Sequence, residues 1–293
     1  MSDPSAFYTV QYASAVNLLS QQMTSKIADT FMPVTGEGKG ATVVDQVGQT
    51  EMEERTTRFA PINPANIPHT RPWVYPQFFE KAELFDTIDK LKMNADPTSQ
   101  YVRALVAARN RKRDVVANAA FWATRNVGEN GTTTEAFSAL YQVGQSVGGT
   151  NSGLNVEKLQ AALEIIKLAD VDLDTETIYC RISPKQERNL MNEIEVISGD
   201  YTKGMVLESG RIKRFLGIEF EISNRLSVDG SGYRRVPVYL KSGMAFATWG
   251  ATRTLVSQRN DLAGLPWQVY IDGNFGAVRV EQAKVVEVKC VEV

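Results

Sequence analysis

Between Ala95 and Asn126 the chain has a single proline, Pro97, and no glycine. Asp96 suits the N-cap of a helix and Pro97 its first position, and nothing breaks the pattern before Gly128. Apolar side chains at Tyr101, Leu105, Ala108, Val115, Ala119 and Trp122 recur at three- and four-residue steps and predict one packed face. Arg103, Arg109, Arg111, Arg113 and Asp114 are expected on the opposite face. At 1.5 Å per residue such a helix reaches roughly 40–45 Å. That is longer than the core helix of a modest domain, so it reads as a strut.

The chain's 293 residues can build one large core or two modest ones. With 43% hydrophobic and 23% charged residues it has the make-up of a globular protein, which excludes wholesale disorder. The formal net charge of -2 provides no basic excess. Tight binding of duplex nucleic acid draws on phosphate neutralisation, so any such contact is expected to be weak or confined to one face. Cys180 and Cys290 lie in separate strand-like runs and read as buried free thiols of a reducing compartment. No apolar run is long enough to span a bilayer, and the N-terminus shows neither a basic region nor an apolar signal core. The expectation is a soluble, cytosolically made product without a membrane partner.

Residues 8–31 carry a helical stripe, Tyr12, Val16, Leu19, Met23 and Ile27, with no obvious partner helix, and read as an arm that docks elsewhere. Pro33 and Gly36-Glu-Gly-Lys-Gly40 are expected to end it in a flexible hinge. From Ala41 to about Gln77 a β-rich start gives way to the charged run Glu51 to Phe59 and then to Pro61, Pro64, Pro68, Pro72 and Pro76. That spacing disfavours helices and central strands and leaves edge strands or extended chain. A long two-stranded excursion is marginally stable alone, so a neighbouring subunit is expected to cover it. Phe78 to Met93 reads as short-helical, and 128–153 as a Gly/Ser/Thr-rich surface loop. A second unit follows, with a helix over 155–169, a strand over 177–182 and a helix opened by Ser183-Pro184. Strands are predicted over 217–223, 235–240, 269–280 and 284–293, the last alternating Val285, Glu287, Lys289, Val291 and Val293. Helices and strands interleave without regular alternation, which favours an α+β fold over a doubly wound sheet.

No constellation of reactive residues emerges. The only histidine, His69, sits between Pro68 and Thr70, too isolated for a zinc site or a histidine-dependent triad. Asp170-Val-Asp-Leu-Asp174 begins like a calcium loop, but its sixth position is Thr175 and its twelfth Arg181, so it fails as one. The glycines of 36–40 lack a following Gly-Lys-Ser/Thr. Glu51, Glu53 and Glu54 are better explained by alternation in an exposed strand, with Arg55 and Arg58 as intersubunit ion-pair partners, than as a paired-acid site. Arg109 to Arg113 lacks interleaved aromatic residues and reads as a solvated or salt-bridged face. No catalytic residue, cofactor or metal is expected.

The order of parts is an amphipathic arm, an extended excursion, a capped strut, a compact α+β unit and a returning β pair. In that order the chain resembles major capsid proteins of tailed bacteriophages, which have the Hong Kong 97-type fold shared with encapsulins. The likeness is carried by Phe7-Tyr-Thr-Val-Gln-Tyr and Asn17-Leu-Leu-Ser-Gln-Gln in the arm and by Glu53-Glu-Arg-Thr-Thr-Arg-Phe in the excursion. Asp89-Lys-Leu-Lys-Met and Asp96-Pro-Thr-Ser-Gln-Tyr lead into the strut, and Phe275-Gly-Ala-Val-Arg-Val with Val285-Val-Glu-Val-Lys-Cys closes the chain.

The resemblance implies an N-terminal arm over 1–42, an E-loop over 43–79, a P-domain with spine helix over 80–153, an A-domain over 154–262 and C-terminal P-domain strands over 263–293. It also implies hexamers and pentamers of one chain closing into an icosahedral shell around double-stranded DNA. A separate scaffolding protein, a portal, non-specific contact with packaged DNA and assembly in the host cytoplasm before residence in the virion come with it. Subunit contacts are expected at Glu51, Glu53, Glu54, Arg55, Arg58 and Phe59 of the excursion and at Tyr12, Val16, Leu19 and Met23 of the arm. The alternatives are an encapsulin-like compartment shell or an enzyme with an unrecognised acidic site. An enzyme would fold the excursion over its own cleft as a lid, whereas a shell subunit would leave it for its neighbours.

Overall fold

The structure is a computed structural model that describes residues 18–27, 29–42, 45–52, 54, 57–58, 67–86, 98–173, 175–193 and 211–292. Its first strands are β1 (Met32–Gly36), β2 (Ala41–Thr42), β3 (Gln46–Val47), β4 (His69–Thr70), β5 (Pro72–Val74) and β6 (Gln77–Phe85). Helix α1 (Thr98–Ala120) follows, then β7 (Arg125–Val127), β8 (Thr133–Glu135) and β9 (Gln142–Val143). Next come helix α2 (Val156–Leu168), β10 (Ile178–Ile182), helix α3 (Pro184–Met191), β11 (Arg214–Phe215) and β12 (Ile218–Ile222). The chain continues through β13 (Arg234–Leu240), β14 (Met244–Trp249), β15 (Thr254–Gln258), β16 (Trp267–Arg279) and β17 (Val285–Cys290). These elements divide between a larger unit, Lys26–Gln77, Asp114–Gly250 and Phe275–Val293, and a smaller one, Phe78–Arg113 and Ala251–Asn274 with residues 18–25.

The main core of the larger unit lies on a six-stranded mixed sheet in the order β11-β12-β10-β13-β17-β9. Leu159, Ile166, Cys180, Ile182, Ile218, Val238, Val288 and Cys290 are among its fully buried side chains, and both cysteines are free. Its two helices start where local sequence dictates. The Asn155 side chain accepts from Lys158 N at the start of α2, and a Ser183/Gln186 capping box with Pro184 opens α3. Strand β17 is buried on both faces, contrary to the expected alternation of buried and exposed positions. Glu287 is fully buried because Arg235 from the neighbouring strand pairs with it, the Arg235 guanidinium also lying 4.5 Å from the Trp122 ring centre. The sheet joins 142–143 and 285–290 to strands from 178–240.

Residues 18–27 and 29–31, expected to be helical, form no helix; the other expected positions lie outside the described residues. The cause is a set of tertiary clamps. Ile27 and Phe31 are buried, the Phe31 ring meeting Phe121 and Tyr239 edge-on at 5.4 and 5.6 Å. Arg181, fully buried, donates to Lys26 O and to Thr30 Oγ1 at 3.0 Å, and its Nε donates to Tyr239 Oη at 3.0 Å. Lys26 N donates to the buried Asp114 carboxylate at 3.3 Å. Bonds to partners so distant in sequence replace the ladder that a helix would have made.

The expected hinge after Pro33 is the strand β1, parallel to β14, with Gly36 opposite Trp249. A Cβ on Gly36 would stand 2.1 Å from the Trp249 ring, so this glycine serves close packing. Strands β2, β5, β7 and β8 form a second small sheet, and β3 pairs with β4 in a two-stranded ribbon. Trp73 Nε1 donates to Gly128 O at 2.7 Å and Gly128 N donates to Arg71 O at 3.1 Å, fixing the root of that ribbon. The stretch 128–153, expected to be loop, thus supplies strands β8 and β9 as well.

Helix α1 begins within the predicted span and ends at Ala120, six residues short of Asn126; Asp96 and Pro97 lie outside the described residues. Its 23 residues reach about 35 Å. The buried face is rotated from the predicted one. Leu105 is buried as expected, but Val115 and Ala119 are exposed, while Ala107, Asn110, Asp114, Ala117, Asn118 and Phe121 are buried. The polar members of that face are bonded: Asn110 Nδ2 donates to Met23 O at 2.8 Å, Asp114 accepts from Lys26 N, and Asn118 Nδ2 donates to Arg225 O at 3.4 Å. After the helix end, Arg279 Nη1 donates to Phe121 O at 2.6 Å and Ala123 O at 3.2 Å. Burial, reinforced by the nearby Arg125, pushes this guanidinium down to about 10. A cation at the C-terminal end of a helix complements its dipole.

In the smaller unit, Leu105, Val269 and Ile271 form the buried cluster, and Phe85 stacks on Tyr101 with ring centres 5.8 Å apart. Residues 77–85, expected to be partly helical, are the strand β6 paired with β16. Its half-buried side chains Phe79, Glu83 and Phe85 share one face, a spacing that serves period two.

Candidate self-assembly surface

Strands β3 and β4 of the 45–70 segment pair with each other in a two-stranded ribbon. Gln46 pairs with Thr70 and Val47 with His69, and at the ribbon's base Arg71 Nε and Nη2 donate to Asp45 at 2.5 and 2.8 Å. The hydrogen bond from Arg71 holds the Asp45 carboxyl below its ordinary value. Asp45 is largely exposed and Arg71 partly so, and the pair fixes geometry more than it adds stability. Beyond the base, Val47 is 63% exposed and Met52 fully so.

Of the expected contact residues, Glu51, Glu54 and Arg58 are exposed on this excursion. Leu19 is 88% exposed and Met23 39%, while Ile27 of the same predicted stripe is buried. Tyr12, Val16, Glu53, Arg55 and Phe59 lie outside the described residues. The expected solvated face of α1 is partly engaged: Arg111 Nη1 donates to Gln21 Oε1 at 2.5 Å, and Lys112 lies 4.7 Å from the Phe79 ring centre. His69 is exposed in β4. Among the described residues no group of three His, Cys, Asp or Glu could hold a metal, and no helix is long and apolar enough to cross a membrane.

Sequence reasoning missed a second set of exposed apolar side chains. Phe78 and Leu84 project from β6, Leu255 and Val256 from β15, Leu262 and Leu265 from the loop after β15, and Leu168 and Leu216 from the larger unit. Every residue of β15 is exposed and it ends its path through the sheet, so among the described residues no strand pairs with its outer edge. A local signal existed at two of these sites. Leu216 precedes Gly217 and Leu265 stands between Gly264 and Pro266, tight-turn contexts in which leucine is an unusual occupant.

Exposed apolar side chains, and a strand edge that no described strand covers, are the attributes of a chain whose surface is finished by other chains. The comparisons agree. A family model described as phage capsid protein matches residues 5–292. No curated protein sequence matches the chain. Among solved structures, the capsid of cyanophage P-SCSP1u superposes with a TM-score of 0.76 at 13% identity, covering 100% of this chain and 96% of that one. The capsid of cyanophage Pam1 gives 0.76 at 12% identity with 99% and 98% covered. The head of Helicobacter pylori bacteriophage KHP40 gives 0.76 at 13% identity with 98% and 96% covered. The α+β fold is therefore of the Hong Kong 97-like capsid type, and the structural family implies a non-enzymatic role in a multi-subunit shell. The chain belongs to the phage capsid protein family and is a major capsid protein of a tailed phage.

Proposed function

We propose that this chain assembles as hexamers and pentamers into an icosahedral shell that encloses double-stranded DNA. The observation that carries the reading is the 45–70 ribbon, fixed at its root by Arg71, Trp73 and Gly128 yet exposing Val47 and Met52. It serves as an E-loop (43–79) whose Glu51, Glu53, Glu54, Arg55, Arg58 and Phe59 meet a neighbouring copy. Tyr12, Val16, Leu19 and Met23 do the same from an N-terminal arm (1–42). Residues 80–153 and 263–293 act as the P-domain, and 154–262 as the A-domain, whose sheet β9 and β17 extend. A separate scaffolding protein and a portal complete assembly in the host cytoplasm, and the capsid has no catalytic or cofactor chemistry. A net charge of -2 suits a container that touches its DNA weakly and non-specifically. An encapsulin-like compartment is not favoured, because the family match is to phage capsids.

Electron microscopy of the purified full chain tests this reading. Closed polyhedral particles, or the sheets and tubes of the same subunit lattice, are expected. A population of only single chains or pairs at high concentration contradicts it.

A further inference from the structure

The smaller unit contains a cleft of about 260 Å³ lined from β6, α1 and β16. Phe79, Leu105, Ala108 and Ile271 supply its apolar wall, and Arg109 and Lys112 line it from α1. Leu105 and Ile271 belong to the buried cluster of this unit, so the apolar wall is backed by packed side chains. Leu105, Ala108, Arg109 and Lys112 recur at three- and four-residue steps, which puts the two cations beside each other on one helix face.

Neither cation meets a carboxylate among the described residues. Arg109 Nη2 donates to the neutral Asn110 Oδ1 at 3.3 Å, and its Nε is buried without a hydrogen-bond partner. Such a donor carries an uncompensated desolvation cost. Lys112 stands with its Nζ 4.7 Å from the Phe79 ring centre. The acids nearby are engaged elsewhere. Asp272 follows Ile271 and Glu80 follows Phe79, so strand alternation turns both carboxylates to the opposite face. Asp272 accepts from Arg253 N and Nε at 2.8 and 3.0 Å, and Glu80 accepts from Tyr270 Oη at 3.0 Å. Lys81 pairs with Glu83 at 3.0 Å. An apolar wall is thus joined to two positive charges that nothing described neutralises.

We propose that this cleft binds a small amphipathic anion, a straight-chain carboxylate whose tail lies on Phe79, Leu105, Ala108 and Ile271. Its head accepts from Arg109 Nε, and Lys112 completes the charge. Both halves of the cleft select this ligand. A guanidinium matches a planar carboxylate, whereas a neutral tail would leave Arg109 Nε without an acceptor. An inorganic anion or a phosphate backbone would leave the apolar wall in water. The volume falls below the roughly 300–1,000 Å³ that takes drug-sized ligands, so the tail is short. The inference goes beyond the shell reading and draws only on residues of the smaller unit.

The test is titration calorimetry of n-octanoate into the unassembled full chain. Acetate, a head without the tail, and n-octanol, a tail without the charge, are titrated beside it. Octanoate should fill a single saturable site, with acetate and octanol each held about tenfold more weakly or worse. Arg109→Met should weaken octanoate about tenfold or more, the factor of one hydrogen bond to a charged group. Its urea midpoint should stay level or rise, because a buried donor without an acceptor is gone. Lys112→Met keeps the aliphatic stem at an exposed position and should weaken octanoate about two- to fivefold, as for an exposed ion pair. If Arg109→Met fails to fold, Lys112→Met decides alone. A chain that takes up no octanoate overturns the site, and so does octanol or acetate binding as tightly. Octanoate affinity unchanged in the folded variants also overturns it, because the ligand would then sit elsewhere. Wild-type chain that forms particles yet binds no octanoate loses the cleft and keeps the shell reading.

Discussion

Replacing Gly36 with alanine should destabilise the protomer by about 2–3 kcal/mol, the range of an overpacked core. Gly36 sits in β1 directly opposite Trp249, and its added methyl would stand 2.1 Å from Cε2 and 2.4 Å from Cδ2 of the indole. Gly276 also borders the indole, where an added Cβ would be 3.5 Å from Cζ3. Ejecting the largely buried indole altogether would cost about 3–5 kcal/mol, which sets the ceiling. Alanine also stiffens the unfolded chain, returning about 0.4–1 kcal/mol, and the net estimate allows for this. Urea unfolding followed by circular dichroism would show a midpoint lowered by about 1 M for a slope of 2–3 kcal/mol per M. In a Trp249→Leu background the same change should cost under about 0.5 kcal/mol, because the obstructing ring is gone. A wild-type cost below that figure, or one that persists without the indole, would refute the packing argument and return residues 33–40 to a flexible hinge.

Further outcomes follow from the polar contacts and from the ribbon. Burial works against ionisation of Glu292, yet the bonds from Arg234 and Ser183 together hold its carboxyl below the ordinary value of 4.5. A carboxyl depressed in the folded state contributes stability above its unfolded value and loses it as pH falls through the folded one. Glu292→Gln should therefore flatten the loss of stability on acidification below about pH 4.5, as read from unfolding midpoints across pH. Arg279→Met should lower stability by about 1–2 kcal/mol, since it leaves Phe121 O and Ala123 O without their buried donor. An unchanged midpoint would deny that role. Replacing residues 49–67 by a two-residue turn keeps β3, β4 and the buried Val74 of β5. That variant should melt like the wild type but form no particles, and normal particles would remove the ribbon from the interface.

Elements with local signals were legible in the sequence. Asn155 announces α2, and Ser183-Pro184 with Gln186 announces α3, because caps act within one turn. Strands β10, β12, β13 and β16 follow their apolar runs closely. The arm was misread because Leu19, Met23 and Ile27 are four residues apart, as on a helix, but Ile27 is buried in a turn segment clamped by Arg181 and Asp114. Those clamps lie too far along the chain for any local pattern to reveal. The buried face of α1 was missed because Asn110, Asp114 and Asn118 look solvent-facing by polarity, whereas each is satisfied by a backbone group. In β6, Phe79 and Phe85 are six residues apart, a spacing that suits a strand face once pairing with β16 exists. The exposure of Glu51, Glu54 and Arg58 was foreseeable from charge. That of Leu262 and Leu265 was not, because leucine is ordinarily assigned to a core.

Hydrogen exchange on free protomers and on assembled particles tests the central claim, that outlying segments of this chain are completed by other copies, most directly. Amides of 46–52, 69–70 and 254–258 should exchange rapidly in the protomer and be slowed about a hundredfold or more in the particle, while β13 and β17 are protected in both. Ribbon and β15 amides that exchange at the same rate in both states would contradict it.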